Sequence, residues 1–264
     1  MTGLLAFLVG LVFGSFFNVC IWRIPRRESV TYPPSHCPRC GKPIRFFDNI
    51  PIVSFLILKG KCRDCGQAIS IRYPLVELIS GVLFLLTFIY FGFNWAVLRP
   101  LVFIGFLIIL TGIDIDHKVL PFGLSLTGLV LGVISSFFSV FKFGITKAFL
   151  GGVIGAGFVL FAWVLWRFIL ARPFRRLGVE KSEGMGWGDL PFTAMIGAFI
   201  GPKGITVALA CAVVSGVVVG GAARALGKIK AGAEVPFGPF LALGGLVGLF
   251  WGEMLFDWYI QAVV

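Results

Sequence analysis

The chain is short of charge. Only 13% of its 264 residues are Asp, Glu, Lys or Arg, about half of the roughly 25% found in soluble domains. Acidic residues number twelve and histidines two. Apolar residues make up 58%, with 29 Phe among them, and the mean hydropathy is +0.98. A chain of this size has too little interior to hide so much apolar surface from water, so a soluble fold is excluded. The same numbers exclude disorder, collagen, a coiled coil and a secreted disulfide scaffold. No GxGxxG fingerprint follows a strand, which excludes a dinucleotide-binding fold. Nor is an aromatic-basic binding module legible, so the net charge of +11 does not imply a nucleic-acid partner. The first apolar run lacks a basic segment before it and a small-x-small cleavage site after it. It is expected to be a retained span rather than a signal peptide.

Long apolar runs remain, and they are what the chain is made of. A helix needs about 20 residues to cross a bilayer, and the pattern predicts spans near 3–22, 74–94, 97–114, 121–141, 146–170, 190–201, 204–224 and 238–262. The expected fold is an all-α polytopic membrane protein of about eight transmembrane helices. The sixth span is short and bounded by glycine. Gly151, Gly152, Gly155 and Gly157 lie inside an apolar run, where small residues allow close helix packing. With the N-terminus outside, the outer loops hold Arg99, Lys142, Lys147 and Lys203, leaving nineteen of the 23 basic residues at the inner face. That asymmetry orients the chain, with loops 23–73, 115–120, 171–189 and 225–237 in the cytoplasm. The domain division that follows is a first span at 1–22, a loop domain at 23–73 and a membrane core at 74–264.

The loop at 23–73 is too small to fold on apolar burial alone, so a staple is expected. Cys37-Pro38-Arg39-Cys40 and Cys62-Arg63-Asp64-Cys65 form two CxxC pairs separated by 21 residues. Two such turns supply the four thiolates of a tetrahedral zinc shell, and an all-cysteine shell leaves no position for a reacting water, which makes the zinc structural. Arg39, Lys42, Lys61 and Arg63 favour the thiolate form. Two disulfides or a redox pair are the other readings, but a cytoplasmic face keeps thiols reduced. Cys20 and Cys211 lie in apolar spans, where they are expected to serve as packing residues.

Because acids are scarce, each one near a span is informative. Asp114 and Asp116 stand in Ile113-Asp114-Ile115-Asp116-His117-Lys118-Val119-Leu120-Pro121, where the third span meets the inner face. Asp189 stands in Gly186-Trp187-Gly188-Asp189 at the start of the sixth. Two carboxylates in a partly dehydrated site can share one proton, which provides an acid and a base together. Amide hydrolysis requires that pair. The glycines permit close backbone approach beside the carboxylate. Helix capping, or neutralisation of nearby Lys and Arg, would explain the same acids without catalysis.

Taken in order, these segments resemble the type IV prepilin peptidases, the GxGD membrane aspartyl proteases. The resemblance rests on Gly186-Trp187-Gly188-Asp189 with Glu183 before it, Ile113-Asp114, Leu120-Pro121 and Pro236-Phe237-Gly238-Pro239-Phe240-Leu241. It also rests on Gly14 to Val19, Arg23-Ile24-Pro25, Pro34 to Cys37, Asp48 to Pro51, the four cysteines and Arg72 to Glu77. It covers nearly the whole chain. It implies that Asp114 and Asp189 are the catalytic pair, Asp114 rather than Asp116 because the family aspartate stands seven residues before the proline, here Pro121. Gly186, Gly188 and Glu183 would support them. Phe122 and Pro191 depart from the family pattern, at positions that bear on substrate positioning. The resemblance further implies prepilin and pseudopilin substrates with basic leaders, a bacterial cytoplasmic membrane, and a site facing the cytoplasm. It implies a second activity as well, N-methylation of the new terminus from S-adenosylmethionine, with Asn18, Arg23, Asp48, Arg72 and Glu77 as candidate residues. A peptidase without methylation is the alternative reading. A transporter with a structural zinc loop would also place acids near spans, but Glu253 and Asp257 are the only deep candidates and lie toward the outer end. A zinc-dependent enzyme would want histidine ligands, and only His36 and His117 exist.

Overall fold

The computed structural model describes residues 2–138, 143–170, 186–227 and 236–263, with side chains 169 and 170 excepted. The described residues are helical, joined by turns, and form no strand beyond two isolated bridges, His36 with Pro43 and Lys61 with Ala68. The helices are α1 (Thr2–Arg23), α2 (Val53–Ile57), α3 (Arg72–Phe91), α4 (Leu98–His117), α5 (Phe122–Ser135), α6 (Ile145–Leu165), α7 (Asp189–Ala225) and α8 (Gly238–Val263). Among the described residues six helices are long and apolar enough to cross a membrane, and α5 is a shorter apolar one. The chain is an integral membrane protein.

The expected spans 190–201 and 204–224 are the two helical segments of α7. It breaks at Gly201, whose φ of 76° and ψ of −178° leave the helical region. Pro202 follows and supplies no N–H to the helical ladder. The two expected spans are therefore two helical segments separated at Gly201, and both pack on α8, Ile196 beside Gly245 and Ala208 beside Gly244.

Packing divides the molecule into two compact units, Met1–Val97 and Leu98–Val264. In the first, α1 packs along α3 because glycines remove the side chains between them. A Cβ on Gly14 would come 2.6 Å from the Glu77 Cα, and one on Gly10 2.7 Å from the Ser80 carbonyl oxygen. Phe13, Phe17 and Phe84 fill the remaining space with tilted rings. The segment between these helices carries the cysteines and belongs to the same unit, so packing groups the 23–73 loop with both spans that flank it.

The second unit is built on α7. Phe103, Leu107 and Leu110 of α4 meet Phe192, Met195 and Ile196 of α7 and Leu241 of α8 in one buried cluster. Gly151 and Gly155 of α6 lie against the backbone of Gly197 and Thr193, while Gly157 faces open space. Arg99 does not behave as a loop charge. It is only 6% exposed and donates to the Ser135 hydroxyl at 3.0 Å and the Ala198 carbonyl at 2.7 Å, pinning α4 to α5 and α7. Phe143 stacks on its guanidinium, 3.5 Å from the ring centroid, which lowers the cost of a cation held away from water.

Candidate active site and metal centre

Asp114 lies one turn from the end of α4. The helix stops there because Lys118 adopts a left-handed φ of 54° and its N–H bonds the Asp114 carbonyl at 2.8 Å, as C-terminal caps do. Val119 to Pro121 then turn the chain into α5. Asp189 begins α7, and the Gly186-Trp187-Gly188 turn precedes it. A Cβ on Gly188 would come 2.5 Å from the Leu120 carbonyl oxygen. This close approach seats the turn before α7 against the corner after α4. It brings together two acids that are 75 positions apart in sequence.

Both carboxylates are buried, Asp114 5% and Asp189 8% exposed, and the Asp114 charge reaches Asp189. Each has one oxygen held by a glycine amide. Gly186 N–H donates to Asp189 Oδ2 at 2.9 Å, and Gly238 N–H donates to Asp114 Oδ2 at 2.9 Å. Gly238 is the first residue of α8, so its amide is one of the unpaired donors every helix start presents. A side chain there would displace the carboxylate: its Cβ would stand 2.5 Å from Asp114 Oδ2. Among the described residues no hydrogen-bond donor holds the second oxygen of either acid.

Among the other expected support residues, Gly186 and Gly188 hold the places just described, and Glu183 lies outside the described residues. Asp116 is exposed. Phe122 is exposed and Pro191 is buried in the first turn of α7, where a proline costs no hydrogen bond. The role of Gly238 was not apparent from sequence, although a glycine followed by Pro239 at the head of an apolar run is a helix-start signal. Trp187 is a second such residue. It is 69% exposed, and its ring lies 5.8 Å from that of Trp163 on α6, tying the turn beside Asp189 to a neighbouring helix.

In the first unit the four cysteines come together, with all four Sγ atoms within 4.8 Å of one another. Cys37 and Cys65 Sγ are 3.9 Å apart. A tetrahedral zinc with bonds of about 2.3 Å requires sulfurs about 3.8 Å apart, so the cluster fits that ion. The two turns are copies. Gly41 N–H bonds the Cys37 carbonyl and Gly66 N–H the Cys62 carbonyl, both at 2.9 Å. Cys37 N–H reaches Lys42 and Cys62 N–H reaches Gln67 in the same way. Both glycines have φ near +70°, the left-handed conformation that only glycine adopts freely. The Cys40 backbone amide draws the Cys37 thiol down to about 7.

The expected methylation candidates divide between anchoring and lining. Asp48 accepts two bonds from Arg63, at 2.8 and 2.6 Å, which hold its carboxyl below the usual range. Asn18 donates to the Tyr73 carbonyl at 3.0 Å, linking α1 to α3. Glu77 accepts the Ile52 N–H at 2.7 Å. That bond restrains a β-branched residue at a φ of 61°. Arg72 opens α3 with its guanidinium 5.2 Å from the Tyr73 ring centroid. Arg23 is 5% exposed and lines a cavity of about 330 Å³ between α1 and the 30–35 and 49–51 segments.

Two family descriptions match the chain. The bacterial peptidase A24 N-terminal domain covers residues 8–91 and the type IV leader peptidase family covers 101–221. Similar curated proteins carry the name prepilin leader peptidase/N-methyltransferase. That of Stutzerimonas stutzeri is 36% identical over 98% of this chain and 93% of its own length. That of Pseudomonas aeruginosa is 37% identical over 96% and 92%, and that of Xanthomonas campestris 35% over 96% and 92%. No solved structure matches.

Proposed function

This chain belongs to the type IV leader peptidase family, and we propose that it cleaves the leader from prepilins and pseudopilins and then N-methylates the new terminus. The observation that carries the first step is the pair of buried carboxylates, each with one oxygen tied to a glycine amide and the other without a donor among the described residues. One aspartate, ionised, takes a proton from a water whose oxygen attacks the scissile carbonyl. The other, protonated, donates to that carbonyl oxygen as charge develops on it. The C–N bond then breaks, and the amine leaves with a proton from the acid. Two partly dehydrated carboxylates suit this work because they share a single proton.

The proposed setting is a bacterial cytoplasmic membrane, with the site at the inner face where positively charged loops gather. A basic leader reaching that face meets the aspartates at the membrane edge. In this reading Cys37, Cys40, Cys62 and Cys65 hold one structural Zn²⁺. S-adenosylmethionine supplies the electrophilic methyl group for the second step. The proposed peptidase residues lie in the second unit, and methylation is proposed for the first.

Incubating purified chain with a prepilin and labelled S-adenosylmethionine tests both steps, through loss of the leader and appearance of label in the mature product. Asp114→Asn and Asp189→Asn should each abolish cleavage while membrane insertion is retained, and Asp116→Asn should be milder. An essential Asp116 beside a dispensable Asp114 would overturn the assignment of the pair.

A further inference from the structure

We infer that the cavity of the first unit binds the methyl donor, S-adenosylmethionine, with Arg23 receiving its carboxylate; the inference rests on the methyl-transfer half of the proposed function. The aspartates and the glycines that hold them lie in the second unit, between Leu98 and Val264, and the site inferred for the second activity lies in the first. The cavity lies wholly between residues 12 and 51, within the segment matched by the separate N-terminal family description.

Its chemistry suits the carboxylate and the flat ring of a small molecule. Val12, Phe16, Val19 and Arg23 recur at helical spacing, so one stripe of α1 forms the wall. The apolar part of that stripe suits an adenine face, and the stripe ends in a guanidinium. Arg23 donates to the Ser29 and Pro33 carbonyls at 2.9 and 2.7 Å and to no carboxylate among the described residues. A buried cation bonded only to carbonyls has no counter-charge beside it, and an anionic ligand group complements it. Thr31, Ser35 and Asn49 add polar atoms of the kind that ribose hydroxyls require. A volume of about 330 Å³ falls within the roughly 300–1,000 Å³ of small-molecule sites.

The cysteine turns hold the rim in place. The Ser35 carbonyl accepts Ile44 N–H at 2.8 Å across the first turn. Asn49 follows Asp48, which is clamped by Arg63 of the second turn. The cavity is thus assembled by the segments a zinc ion would order.

The test measures binding rather than turnover. Zinc-loaded full-length chain in detergent is titrated calorimetrically with S-adenosylhomocysteine, and separately photo-crosslinked to labelled S-adenosylmethionine and peptide-mapped. Label should fall within residues 12–35 or 49–51. Val19→Trp, which fills the cavity from its α1 wall, should weaken S-adenosylhomocysteine at least tenfold with zinc content and melting temperature retained. Wild-type affinity in folded Val19→Trp, or label confined to residues 98–264, overturns the site and leaves methyl transfer standing. Absence of any binding by chain that still cleaves prepilin overturns methyl transfer, and the site with it. If Val19→Trp fails to fold, the position of the crosslink decides.

Discussion

Replacing Gly238 by alanine should separate activity from stability. The added methyl would stand 2.5 Å from Asp114 Oδ2 and 3.1 Å from its Cγ. The nearest of these is the far end of a side chain that can swing away, so folding loses little. The carboxylate, however, leaves its place and its bond to the Gly238 amide. A hydrogen bond to a charged group contributes about 1.5–3 kcal/mol. At about 1.4 kcal/mol per tenfold in rate, kcat should fall roughly 10- to 100-fold. A displacement of about 1 Å at reacting groups gives an independent figure of about 10²-fold. The assay is the initial rate of leader removal at saturating prepilin, alongside thermal unfolding in the same detergent. Gly188→Ala provides the contrast, because its methyl meets the Leu120 carbonyl at 2.5 Å. Backbone cannot swing away, so both rate and melting temperature should fall. Cleavage by Gly238→Ala at the wild-type rate would refute the idea that this amide holds Asp114 in its working position.

Replacing Cys37 by Ser should release the metal and make residues 23–73 sensitive to protease, with methylation falling before cleavage; elemental analysis and limited proteolysis are the readouts, and a loop that stays folded without metal would defeat the claim. Reporter fusions should place the 23–73 loop in the cytoplasm and both termini outside, and a cytoplasmic N-terminus would reverse the face of the site. Asp48→Asn should loosen the same loop at neutral pH, because it removes a carboxylate held by Arg63. Since that carboxyl titrates below its ordinary value, the wild-type contribution is complete above about pH 4 and is lost as pH falls further; proteolysis across pH 3 to 7 should show wild type converging on the variant only at the acid end.

Composition and spacing alone established that the chain is a helical membrane protein, where most helices run, and that four cysteines could close one metal shell. These features are local. Apolar length decides whether a segment enters the bilayer, and a CxxC turn places its two sulfurs by its own geometry. Both acids could be singled out for the same reason, since a carboxylate beside a span is conspicuous. What each acid touches was decided by tertiary structure. The Gly188 contact with Leu120 and the Gly238 amide on Asp114 cross 68 and 124 positions respectively, and no periodicity records which helix ends will meet. Arg99 shows the same limit. By sequence it is a charge in an outer loop, and only the packing of α4 against α5 and α7 made it a buried clamp. The break between the expected spans 190–201 and 204–224 was by contrast legible in the sequence, because Gly201 and Pro202 end a helix by local rule.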